Sequence, residues 1–186
     1  MTTRLRGDEP QPRAQSDWIL PSRSLFDEIE AHAKILPWTH GRDRIDLITW
    51  FAAVGEPAYD TLLGFLTDER PVVVTTALAA LGATGDSRLV QHIRDAENPQ
   101  WDGTLLLESA RTRVRLGDWE AMPVLISGLE SDEAFVRGLC AQSLFQATKE
   151  KMGFNAHDSL PEREAAVARW RSWWKSREGD ELLAQN

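Results

Sequence analysis

Apolar residues in this chain recur at helical spacing. Leu25, Phe26, Ile29, Ala33 and Leu36 predict an amphipathic helix that Pro37 stops. After a loop from Trp38 to Arg42, Ile45, Ile48, Phe51 and Ala52 share one face of a second helix, which Gly55-Glu56-Pro57 ends. No stretch of useful length alternates with the period of a strand. Val72-Val73-Val74 favours β structure by residue type, but its register in the repeat described next makes it helical.

The pattern then repeats. Tyr59, Leu62, Leu63 and Leu66 are matched at one constant offset by Met122, Leu125, Ile126 and Leu129. The following helices match at the same offset, Val72, Val73, Ala77 and Leu81 pairing with Phe135, Val136, Cys140 and Leu144. A third copy lies between them. Gly85-Asp86 stands between Gly55-Glu56 and Gly117-Asp118, and Leu89 and Ile93 take the positions of Tyr59 and Leu63.

A period of about 30 residues with two helices per unit marks an α-solenoid. Each helix pair is too small to bury its apolar face alone, and stacking produces one continuous core. The expected fold is all-α: a right-handed α-solenoid of about nine helices. The expected divisions are a disordered tail over 1–17, an N-terminal helix and loop over 18–42, repeats with a Trp-rich capping helix over 43–178, and a tail over 179–186. The second helix of each pair, near 58–66, 87–95, 119–129 and 161–177, is expected to line the concave face.

Composition narrows the function classes. The net charge of −8 argues against nucleic acid as a partner, because gripping phosphates takes a surplus of Lys and Arg. No apolar run is long enough for a membrane span, and residues 1–17 lack the hydrophobic core of a secretory signal, so a cytoplasmic protein is expected. With one cysteine, Cys140, there is neither an intrachain disulfide nor a Cys-rich zinc site.

Two segments resemble HEAT repeats. Ala77-Leu78-Ala79-Ala80-Leu81-Gly82 followed by Gly85-Asp86 resembles the end of a first HEAT helix and its turn. Asp132-Glu133-Ala134-Phe135-Val136-Arg137 resembles the acidic turn and Val-Arg start of the next one. The closing segment, with Gly153-Phe154-Asn155, Pro161-Glu162-Arg163 and Trp170-Arg171-Ser172-Trp173-Trp174, is similar to that of many bacterial HEAT-repeat proteins of unassigned role. The resemblance implies a non-catalytic protein-binding module working through the concave face: an adaptor, assembly factor or neutralising partner. Its alternatives are an enzyme on a HEAT scaffold, bilin lyase-like or DNA glycosylase-like, and a structural subunit that associates with itself.

No nucleophile elbow, phosphate loop or dinucleotide motif is present, so no catalytic residue, metal or cofactor is expected. Cys140 reads as a small core residue. Asn155, His157 and Asp158 read as a turn before a helix that Ser159 caps and Glu162 completes, rather than as ligands. His92 occupies the position of Leu62 and Leu125, a polar ring where a leucine is expected; it is half exposed at the stripe's edge, buried with a partner, or part of a pocket. Trp170 and Trp174 share a stripe with Val167 that caps the stack, with Trp173 at its margin. Trp101, in the long connection from Asp95 to Gly103, is the first candidate for contact with a partner protein, and Trp119 and Trp173 join it. Arg111, Arg113 and Arg115 cluster on one helix, with Glu108 placed to pair with Arg111, and read as a solvated face.

Overall fold

The computed structural model describes residues 16–178. Of the predicted tail 1–17 only Ser16 and Asp17 fall among them, and the predicted tail 179–186 lies outside. The described residues form nine α-helices and no strand: α1 (Arg23–Ile35), α2 (Gly41–Val54), α3 (Tyr59–Gly64), α4 (Pro71–Thr84), α5 (Leu89–Ala96), α6 (Gly103–Arg115), α7 (Met122–Gly128), α8 (Ala134–Thr148) and α9 (Leu160–Glu178). Single 3-10 turns extend four of the joints. One of them, Leu36–Trp38, carries the chain through Pro37, which therefore does not stop it at once.

The longer helices α2, α4, α6 and α8 all close on a residue with positive φ: Gly55 (68°), Gly85 (73°), Gly117 (95°) and Lys149 (64°). Three glycines take this backbone without steric cost and let the chain reverse into the next, shorter helix. Lys149 takes it at a cost of about 1 kcal/mol or more.

The longer helices pack in succession, α2 on α4, α4 on α6 and α6 on α8. The short helices α3 and α5 pack on each other, and the short α7 packs on α9, the longest of the described helices. The middle of the longer row is α4. It is apolar nearly all round and buries Val73, Val74, Ala77, Leu78, Ala80 and Leu81 between its neighbours. That burial overrides the β preference of Val72-Val73-Val74, and Pro71 fits the first turn, where no backbone N–H is needed. Close approach of α6 rests on Gly82, whose position leaves room for the Thr112 methyl, and on the Thr112 hydroxyl, which donates to the Leu78 carbonyl at 3.1 Å. Thr112 is itself buried, so this bond satisfies a group that would otherwise be costly.

Three expectations about the core need correction. Ile45 is 63% exposed, and Leu47 instead turns inward beside Phe51, which is buried as expected. Phe135 is 73% exposed although its counterpart Val72 is half-buried, because α8 has a longer helix on one side only. The third correction concerns register. The buried residues align as Ala58, Leu89 and Ala121, and then as Leu62, Ile93 and Leu125. The turn after Gly55 is one residue shorter than the turns after Gly85 and Gly117, so matching by the Gly-acid turns slips the middle copy by one. His92 then aligns with Thr61 and Val124, not with the core leucines, and it is half-buried.

Candidate functional site

Arg111, Arg113 and Arg115 alternate along one helix, so Arg113 points away from the other two. Arg113 turns toward the Gly-acid turns, and its guanidinium donates to Asp118 at 2.7 Å and Glu97 at 2.9 Å. Arg94 reaches the same Asp118 at 2.6 and 3.0 Å. The Asp118 side chain is 3% exposed. Burial pushes its carboxyl up, but the hydrogen bonds from Arg94 and Arg113 prevail and hold it below the usual carboxylate range.

The same edge continues toward the N-terminus. Arg88 bridges Glu56 at 2.9 Å and Asp86 at 2.7 Å, tying one turn to the next. Its guanidinium lies 5.3 Å from the Trp18 ring. Trp18 packs edge-on to Tyr59 and tilted against His92, both at 5.0 Å, and the Ile19 amide donates to Glu56. The pocket considered for His92 is thus covered by the chain's own Trp18.

The aromatic candidates also find partners within the chain. Trp101 is half-buried and packs on the core to which α1 to α6 contribute. Trp119 and Trp173 come together, their ring centroids 6.0 Å apart, and Trp170 meets Trp173 edge-on at 5.4 Å. Arg177 lies 4.1 Å over Trp173. Val167 and Trp170 are buried and Trp173 and Trp174 half-buried. Asn155 donates to Asp158 at 2.8 Å, and the Ser159 amide donates to Glu162 at 3.0 Å, so that segment is a helix start. Cys140 is fully buried, and desolvation pushes its thiol up to about 11, leaving it neutral and unreactive at neutral pH.

The other side of α6 opens on a cleft of about 390 Å³ between α4, α6 and α8. Glu108, Arg111 and Arg115 of α6 face Gln142, Ser143 and Gln146 of α8 across it. Arg111 donates to Glu108 at 2.6 Å and to Ser143 at 3.1 Å, which fixes its guanidinium against the wall. Arg115 pairs with no carboxylate among the described residues, and the amides of Gln142 and Gln146 have no hydrogen-bond partner there. None of the four residues favoured from sequence lines this cleft. The local signal that pointed to it was the alternation of the three arginines, which rules out a single shared face. A larger groove of about 860 Å³ lies between α1, α3 and the segment from Ser16, lined in part by Leu20, Phe26 and Pro57.

No described helix is long and apolar enough to cross a membrane. No protein-family model matches the chain, and no curated protein matches it.

Proposed function

We propose that this chain is a non-catalytic protein-binding module, a right-handed solenoid of HEAT-like helix pairs acting in the cytoplasm. The repeated Gly-acid turns and the succession of longer helices support the solenoid reading. The observation that carries the binding reading is the cleft on the longer-helix face. Arg115 of α6 and Gln142 and Gln146 of α8 line it with no side-chain partner among the described residues, whereas the polar groups of the turn edge are paired. The contact surface therefore falls on α4, α6 and α8 rather than on the shorter helices, and the partner is another protein.

Affinity capture from the native host tests this, with the full chain as bait and mass spectrometry of what is retained. Ser143→Trp fills the cleft without changing charge, and Trp101→Ala removes the connection's aromatic ring. The expected result is one protein retained by wild type and Trp101→Ala and lost with Ser143→Trp. Retention unaffected by Ser143→Trp, or nothing specific retained by wild type, contradicts the reading.

A further inference from the structure

The cleft's chemistry also specifies what it would hold. Its seven polar side chains include two guanidiniums and one carboxylate, so a positive charge remains on a chain whose net charge is −8. That residual charge sits at Arg115, since Arg111 is neutralised by Glu108 on its other side. The partner atoms that satisfy it are anionic oxygens, and a guanidinium fork suits a carboxylate in two-point contact.

Across the cleft, Gln142 and Gln146 stand one helical turn apart. The Cβ atoms of residues at that spacing lie about 5–6 Å from each other. Alternate residues of an extended chain repeat at roughly 6–7 Å. Each glutamine amide both donates and accepts, as a peptide backbone does and a phosphate does not. Arg111 and Arg115 are likewise one turn apart on α6. Two parallel rows thus face each other, one matched to a backbone and one to side-chain charge.

We propose that the α4–α6–α8 cleft binds a short, extended acidic peptide segment, with an Asp or Glu carboxylate on Arg115 and the peptide backbone along Gln142 and Gln146. This rests on the protein-binding reading and narrows it to a partner class. It also reverses the partner charge that the chain's overall acidity suggests. A polyphosphate or nucleic acid is disfavoured because its grip needs several free cations, and among the described residues the cleft supplies one.

The test uses fluorescein-labelled pentaglutamate with the full-length chain, read by anisotropy, with pentalysine and tripolyphosphate as comparators. Side-chain amide and guanidinium signals of the 15N-labelled protein locate the contact. Pentaglutamate is expected to bind, to move the Gln142, Gln146 and Arg115 side-chain signals, and to weaken as salt rises. Arg115→Gln should weaken it at least tenfold, Gln142→Ala with Gln146→Ala severalfold, and Lys34→Gln on α1 not at all. Thermal melts of each variant confirm that it is folded.

Pentaglutamate binding unchanged in Arg115→Gln overturns the proposal, as do signals that move elsewhere or tighter binding of tripolyphosphate. Should pentaglutamate fail while Ser143→Trp still abolishes capture of a host protein, the acidic class falls and the binding module stands. Failure of both removes the module reading as well.

Discussion

Arg113 leaves α6 toward the turn edge, where Asp118 and Glu97 take its guanidinium at 2.7 and 2.9 Å. Arg115, two residues on, leaves toward the cleft and meets no carboxylate among the described residues. One helix therefore carries the same residue type in two circumstances. Along the turn edge every buried charge is matched, as folding demands, since an isolated buried charge costs several kcal/mol. On the cleft side Arg115, Gln142 and Gln146 are exposed and have no side-chain partner among the described residues, so they stay open to solvent or to a partner. Pairing, more than residue type, separates what holds this chain together from what it offers to a partner.

The largest effect expected from breaking that contrast is at Asp118. Asp118→Asn leaves Arg94 and Arg113 facing each other without their shared carboxylate, and should cost about 3 kcal/mol in urea unfolding. The pH dependence follows from the same bonds. The folded carboxyl titrates below its unfolded value, so its contribution is full above about pH 4 and is lost as pH falls through the folded value. Asp118→Asn should flatten that acid limb relative to wild type.

A smaller effect is expected where α7 supports the cleft's far wall. A Cβ at Gly128 would fall well inside contact distance of the Cys140 sulfur. Gly128→Ala should cost about 2 kcal/mol through overpacking, and less in a Cys140→Ala background, where the sulfur is gone. Equal costs in both backgrounds would place the strain elsewhere. Smaller still is the end of α8. Lys149→Gly, matching Gly85 in its left-handed backbone conformation, should raise stability by up to about 1 kcal/mol in the same unfolding measurement.

These contrasts also show how far the sequence could be read. The helix pairs were legible because apolar spacing and Gly-acid turns are local signals. So were the Glu162 start of α9 and the Val167 and Trp170 stripe. His92 was misplaced because the turn after Gly55 is one residue short. A single residue shifts a helix by about 100°, enough to move a surface position onto the apparent core. The covering of His92 by Trp18 was not legible, since it joins residues far apart in the chain through ring packing alone. The cleft was hidden for a similar reason: its walls come from three helices, and Gln142 and Gln146 read singly as ordinary surface residues.

The account turns on the division between the two sides of α6, and one paired comparison addresses it: Arg113→Gln beside Arg115→Gln, each measured for unfolding free energy and for pentaglutamate affinity at a temperature where both are folded. Arg113→Gln should lose about 2 kcal/mol of stability, because it leaves the buried Asp118 short of a donor, and should keep its affinity. Arg115→Gln should stay within about 0.5 kcal/mol of wild type and lose binding. Two variants that change stability alike, or affinity alike, would contradict the division.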